Sequence, residues 1–294
     1  MKLIPYRENL CSKYATKMLS IKINNRCNCF CGFCVDRGGR CSGGQINVGG
    51  IAENAISYRD YETVIITGGE PFLNFNEVVK LATKLRSFKK RIVLNTNGSL
   101  LSPEKVQSLN GLIDELQVSV HHYDEMKNAE VFGRHISFND IRKALESKAF
   151  LASINSTFNK GYTDEEKPEA IDKMVELVKY LGADKLRLTE LKKVKEADFV
   201  LAGEFFPRNH PFVGRSSDDL ITKGCTYYYN QDGIEVSVKR LCEYAKGENA
   251  PAFSCCFINI NGQMKIDVET ADTFKVIYSD AKVTNDWIFE GIKN

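Results

Sequence analysis

The chain has little charge of one sign. Its 294 residues hold 40 Lys and Arg against 38 Asp and Glu, so no broad basic footprint argues for nucleic acid. Basic pairs such as Lys192-Lys193 sit beside acids and read as solvated helix faces. No window approaches the roughly 20 consecutive apolar residues of a membrane span. The opening "MKLIPYRENLCSK" has no apolar core of signal-peptide length, and the expectation is a cytoplasmic protein. There is no internal repeat and no low-complexity linker. A single Trp beside 12 Tyr marks no distinct aromatic relay. What is plentiful is cysteine, ten in all. In a reducing compartment five disulfides are not expected, and metal or catalytic use becomes the better reading.

Hydrophobic residues make up 43% of the chain, enough for a substantial core. Short β-rich apolar runs recur at 18–23, 63–67, 91–96, 115–120, 149–158 and 184–191. Their β-branched residues and polar or Gly-rich ends predict strands. Amphipathic helical patterns lie between them at 75–88, 103–110, 138–147 and 164–181. The last pairs Thr163 as N-cap with Gly182 after the final apolar residue. Strands alternating with helices imply a parallel sheet with right-handed crossovers. The fold class expected is α/β, a partial (βα)6 TIM-like barrel with a C-terminal β-rich extension.

The rhythm breaks near residue 192. "YYYNQDGIEVSVKRL" predicts a hairpin over Asp232-Gly233, and "CCFININGQMKID" another over Asn261-Gly262. The expected division is an N-terminal extension over 1–16, a core over 17–192 and a β-rich part over 193–294. That last part would pack on the barrel and serve substrate binding or an auxiliary cluster.

The densest chemistry lies in "NNRCNCFCGFCVDRGG", residues 24–39, where Cys27, Cys31 and Cys34 form C-x3-C-x2-C. Three thiolates on one loop can bind three irons of a [4Fe–4S] cube and leave the fourth iron open. Gly32 and Gly38-Gly39 let such a loop curl. Zinc is the competing reading and would take a fourth ligand from Cys29 or Cys41. A thioredoxin-like pair at Cys31 and Cys34 is disfavoured by the third thiol beside it.

"LSIKINNRCNCFCGFC" resembles the signature of the radical S-adenosylmethionine (radical SAM) superfamily, with Phe33 as the aromatic residue before the last cysteine. The resemblance runs over roughly residues 17–192. It implies that the open iron is chelated by the amino and carboxylate groups of S-adenosylmethionine (SAM), and it leaves Cys29 without a counterpart. "TGGEP", 67–71, follows the second strand, where the family places a GGE motif against the SAM amino group. Gly68 and Gly69 permit close backbone approach, and Glu70 can accept from an ammonium. "NTNG" ends the third strand and "VSVHH" the fourth; by position, Thr96, Asn97 and Ser119 match residues that serve the SAM ribose and carboxylate. Many relatives carry Asp two residues after that serine, where this chain has His121. Asn155 and Arg187 are further candidates for ribose and carboxylate contacts. Functional groups at C-terminal strand ends suit parallel (βα) folds generally.

The resemblance implies an enzyme in which a reduced cluster cleaves SAM to a 5′-deoxyadenosyl radical, which then abstracts hydrogen from a small-molecule, nucleotide-like or peptide substrate. It also implies a flavodoxin- or ferredoxin-type electron donor. The entry to the motif is most similar to the molybdenum-cofactor cyclase and peptide-maturase branch, where auxiliary clusters are frequent. Cys225, Cys242, Cys255 and Cys256 are therefore candidates for a second Fe–S cluster or a structural zinc or disulfide-like role, although their spacing matches neither group and ordinary buried thiols are the favoured reading. A glycyl-radical-enzyme activase is an alternative. A non-catalytic zinc or Fe–S binding protein is another, disfavoured by the Cys triad and GGE together. Arg208, His210 and Arg215 could meet an anionic substrate, and His121 and His122 could serve acid–base or structural roles.

Overall fold

The structure, a computed structural model, describes residues 18–34, 45–89, 91–190, 205, 221–223, 226–239, 257–258, 264–265 and 274–284. Cys41, Cys225, Cys242, Cys255, Cys256, Arg208, His210 and Arg215 lie outside them.

Six strands follow the expected rhythm: β1 (Met18–Lys22), β2 (Thr63–Thr67), β3 (Arg91–Thr96), β4 (Glu115–Ser119), β5 (Leu151–Phe158) and β6 (Lys185–Glu190). Each pairs in parallel with the next. The helices are α1 (Val48–Ser57), α2 (Phe75–Arg86), α3 (Pro103–Ser108), α4 (Glu125–Phe132), α5 (Phe138–Leu145) and α6 (Lys167–Leu181).

Described strands beyond residue 192 extend the same sheet at both edges. The strands are β7 (Ile221–Lys223), β8 (Thr226–Gln231), β9 (Ile234–Lys239), β10 (Phe257–Ile258), β11 (Met264–Lys265), β12 (Phe274–Tyr278) and β13 (Val283–Thr284). β9 lies parallel to β6 at one edge and β12 parallel to β1 at the other. The result is an eleven-stranded sheet in the order β13-β12-β1-β2-β3-β4-β5-β6-β9-β8-β7, mostly parallel and not closed. The β8–β9 hairpin turns on Asp232 (φ 50°) and Gly233 (φ 86°), the left-handed pair a two-residue turn demands. β10 and β11 form a separate two-stranded ladder flanking the predicted Asn261-Gly262 turn.

Two helices depart from the sequence pattern, and a third is shorter than expected. α6 starts at Lys167, not 164. The amides of Glu166 and Lys167 both bond to the Thr163 carbonyl, closing a turn, and Pro168 then occupies the first helical turn, where its missing N–H costs nothing. Gly182 ends the helix with φ 69°, as expected. α1 was hidden by Gly49-Gly50, which read as loop; its signal was Asn47, whose Oδ1 accepts from the Gly50 amide at 2.9 Å. α4 was announced by Asp124 as N-cap and Gly133 as left-handed C-cap.

Alternate strand residues such as Leu19, Ile21, Val64, Ile66, Leu94 and Leu116 are fully buried against the helices. Each buried Leu or Ile contributes about 1.5–3 kcal/mol. The helix-facing side therefore supplies the core, and the other side of the sheet is released for different chemistry.

Candidate active site

The loop leaving β1 is stitched to the turn leaving β2. The Ile23 amide donates to the Thr67 carbonyl at 2.9 Å, Gly69 to Asn24 at 2.9 Å and Glu70 to Arg26 at 2.6 Å. This close approach explains the glycine pair. A Cβ on Gly69 would stand 2.0 Å from the Arg26 carbonyl oxygen, and one on Gly68 (φ 148°) would stand 2.5 Å from that of Asn24. Asn24 closes the seam, donating through Nδ2 to the Glu70 carbonyl at 2.9 Å and to Asn74 Oδ1 at 3.0 Å.

Glu70 is 0% exposed. Its Oε1 accepts from the Phe72 amide (2.9 Å) and the Thr96 hydroxyl (2.8 Å), and its Oε2 from the Asn97 amide (2.6 Å). Burial pushes its pKa up to about 7, against the opposing pull of these donors. A carboxylate offers about four lone-pair positions, so three donors leave room for one more.

Asn97 joins this carboxylate to the cysteine loop. Its Nδ2 donates to Cys27 Sγ at 3.7 Å and to Asn28 Oδ1 at 2.8 Å, while its Oδ1 accepts from the Ser99 amide and hydroxyl. The Cys29 thiol, with the Cys29 amide and Asn97 adding to it, brings Cys27 down to about 6 despite burial. Cys29 moves the opposite way, raised by its tie to Cys27 and by burial. None of the four cysteines is in a disulfide, and they sort by exposure: Cys27, Cys31 and Cys34 are half-buried, and Cys29 is part of the hydrophobic core. Among the described residues, no group of three or more His, Cys, Asp or Glu side chains is gathered as a single-ion metal site.

His121 clamps the loop from below. Its ring meets Phe33 edge-on at 5.0 Å and stacks on Phe132 at 4.9 Å. Its Nδ1 accepts from the Thr157 amide at 3.2 Å, its own amide donates to Asn128 Oδ1 and its carbonyl accepts from Asn159. Complete burial holds the imidazole neutral, with its pKa near 3. A second tie bonds the Phe30 amide to the Phe132 carbonyl at 2.7 Å. His122 belongs to a separate group: it stacks on Tyr162 at 4.1 Å and accepts from the Asp124 amide. We expect His121→Ala to cost about 3–5 kcal/mol, as for a buried aromatic. Iron retained per chain after reconstitution should fall several-fold, whereas His121→Phe should keep most of the iron. Equal iron in the alanine variant and wild type would show that the clamp does not seat the loop.

The remaining sequence candidates divide. Cys27, Glu70, Thr96 and Asn97 meet in one hydrogen-bonded unit, with the Thr96 hydroxyl already donated to Glu70. Ser119, half-buried at the end of β4, lies beside Asn155 in register. Asn155 and Arg187 instead join a deeper network, in which Asn155 Nδ2 donates to Gln117 Oε1 at 2.9 Å and Arg187 lies 3.6 Å from Glu115. Asn155 Oδ1 is buried without a hydrogen-bond partner. Sequence reading missed Asn24, Glu115 and Gln117, whose roles arise from contacts across strands.

Residues 21–174, just over half of the chain, match the radical SAM superfamily. The chain belongs to the radical SAM superfamily. GTP 3′,8-cyclase of Aquifex aeolicus is 23% identical over 296 residues, covering 90% of each chain. The 7-carboxy-7-deazaguanine synthase of Methanospirillum hungatei is 33% identical over 93 residues, 32% of this chain and 38% of the relative. Among solved structures, Streptococcus suis SuiB bound to its precursor peptide SuiA is similar with a TM-score of 0.63 at 16% identity. That match takes in 96% of this chain but only 62% of the SuiB chain. It supports the open parallel architecture. Relatives in the superfamily are enzymes, and this chain is a radical SAM enzyme. Membership implies a [4Fe–4S] cluster and SAM. The donor set fits both: three half-buried thiols on one loop, none in a disulfide, N–H donors already directed at Cys27 sulfur, a buried carboxylate with one acceptor position to spare and the unpaired acceptor of Asn155. No helix among the described residues is long and apolar enough to cross a membrane.

Proposed function

We propose that the protein binds SAM at the cluster loop and uses it to abstract a hydrogen atom from a small-molecule or peptide substrate. The observation that carries this reading is the single-residue bridge of Asn97, which touches both the Cys27 sulfur and the Glu70 carboxylate. When bound, a reduced [4Fe–4S] cluster supplies the electron that splits SAM into methionine and a 5′-deoxyadenosyl radical. Cys27, Cys31 and Cys34 would hold three irons and leave the fourth for SAM. Glu70 would accept from the SAM ammonium, while Asn155 Oδ1 and Ser119 would meet its hydroxyls. Asn97 would keep the two halves in register, and the sheet would hold the substrate within reach.

The relatives, a GTP 3′,8-cyclase and SuiB bound to its precursor peptide, favour chemistry on a small molecule or a peptide over activation of a glycyl-radical enzyme. The reading includes a flavodoxin- or ferredoxin-type donor and a cytoplasmic setting in which the thiols stay reduced. Residues 17–192 would form the catalytic core. Residues 193–294 would complete it, whether or not their cysteines hold a second cluster.

Anaerobic reconstitution followed by assay of 5′-deoxyadenosine tests the reading. Wild type should load about four irons and cleave SAM under strong reductant. Cys29→Ala should keep both properties, because Cys29 faces the core. The Cys27/Cys31/Cys34→Ala triple variant should lose both; about eight irons in wild type with about four persisting in this variant would place a second cluster in the tail. A fully loaded wild type that leaves SAM intact would sink the proposal.

A further inference from the structure

Parallel sheets covered on both faces usually read as near-continuous apolar runs, and the inside of a closed barrel is packed with branched side chains. The face turned away from the helices here is different. Its positions on β4 are Glu115, Gln117 and Ser119, and on β6 they are Lys185, Arg187 and Thr189. The register carries this face from strand to strand, with Asn95 beside Gln117 and Ser119 beside Asn155, while the apolar Val93 and Leu151 flank Glu115.

At the start of β4 on this face Glu115 is buried, its side chain 1% exposed. It accepts from the Ser153 hydroxyl at 2.7 Å and Gln117 Nε2 at 2.9 Å, and it pairs with Arg91 and Arg187. Burial works to raise its pKa, but these donors outweigh burial and keep it below the usual carboxylate range, hence ionised. One carboxylate therefore faces two guanidiniums, a surplus of one positive charge, whereas nearby Lys185 is balanced by Glu235 at 2.9 Å. The Arg91 and Arg187 side chains remain 49% and 44% exposed. Each guanidinium has five N–H donors in a fixed fork; Glu115 accepts from Arg91 Nη2 and lies 3.6 Å from Arg187 Nη1. Four residues along β3 from Arg91, toward the cysteine loop, Asn95 Oδ1 is buried without a partner.

Burying a carboxylate between arginines is an inefficient way to gain stability; well-packed apolar residues commonly do as well or better. The arrangement makes sense as a preorganised receptor. Arg91 and Glu115 open their strands, and the cysteine loop lies at the opposite ends. Four residues of strand, about 13 Å, separate Glu115 from Ser119, with Gln117 between them on the same face.

We infer that the substrate is a small hydrophilic anion whose phosphate or carboxylate oxygens bind the outward N–H groups of Arg91 and Arg187, while Asn95 Oδ1 accepts an N–H from the same molecule. This deepens the radical SAM reading and rests on it. Glu115 is a positioning residue, holding both guanidiniums from beneath through Ser153 and Gln117.

Equilibrium dialysis of the full chain, loaded with cluster and SAM, against pyrophosphate and against succinate tests the inference. At least one probe should bind saturably, and tenfold or more weakly to Arg91→Gln and to Arg187→Gln. A preference for pyrophosphate assigns the group as phosphate, and a preference for succinate as carboxylate. Both probes binding wild type no better than the variants overturns the inference. Where the variants do not fold, the wild type decides by itself: binding that does not weaken between about 0.05 and 0.5 M salt, or no binding of either probe, overturns it. SAM binding measured in the same samples separates the failures. Retained SAM binding without anion binding removes only this inference, whereas absent SAM binding removes the reading beneath it.

Discussion

Glu70→Gln is expected to weaken SAM binding by ten- to a hundredfold and to remove its pH dependence between about pH 6 and 8. A hydrogen bond to a charged group contributes about 1.5–3 kcal/mol, and the variant loses the anionic partner of an ammonium. Glutamine also brings an NH2 group into a site already filled by donors from Phe72, Thr96 and Asn97. The pH argument follows from burial, which raises the wild-type pKa from 4.5 to about 7. Below that value the carboxyl is neutral, so SAM affinity should climb as pH rises through 7. Stability of the SAM-free protein should move the other way. A raised carboxyl pKa means that the folded state binds its proton more tightly, so stability falls between the ordinary value and 7 and then levels off. Titration calorimetry from pH 6 to 8, with thermal melts alongside, measures both slopes. Parallel SAM affinities in wild type and Glu70→Gln would remove Glu70 from the binding site.

Gly69→Ala should be nearly as damaging, through sterics alone. The added methyl would overlap the Arg26 carbonyl, with 2.0 Å to its oxygen and 2.3 Å to its carbon. Both are backbone atoms, so no rotamer change relieves the clash. Overpacking costs about 1–3 kcal/mol. Parting the strands also endangers the bonds from Gly69 to Asn24 and from Glu70 to Arg26, each worth about 1 kcal/mol. Cys27 follows Arg26 directly, so the displacement reaches the first ligand. We expect a loss of about 3–5 kcal/mol and at least a fivefold drop in iron retained per chain, read by melting and by iron assay. Normal iron loading with an unshifted melt would show that the loop does not depend on this contact. The control is Gly111→Ala, at a turn with nothing within 4 Å of the added methyl; it is strained by φ 78° but should keep its iron.

These predictions concern a site half legible in the sequence. Cys27, Cys31, Cys34 and the Gly68-Gly69-Glu70 turn stand out because local spacing is their signal: thiolates must share a short loop, and a tight approach demands glycine. Asn24 and Glu115 give no such signal. Each is an ordinary polar residue until the chain brings a partner to it, Glu70 in one case and two arginines in the other. Cys29 was set aside by motif alone, and its burial in the core now supplies a physical reason.

The same division holds for the fold. Periodicity determined the six parallel strands and most of the helices between them, because a run of β-branched residues or an amphipathic stripe is written within ten or so neighbours. Glycine and asparagine at the turns determined the β8–β9 hairpin. Tertiary structure alone decided that β9 and β12 would extend opposite edges of one sheet, since parallel pairing carries no local mark. It alone decided that Asn97 would bridge Cys27 and Glu70, a contact spanning 70 residues on one side and 27 on the other. And it alone gathered the polar residues that alternate along β3 to β6 onto one face, interrupted by Val93 and Leu151, because strand register, absent from any single strand's sequence, is what lines those residues up.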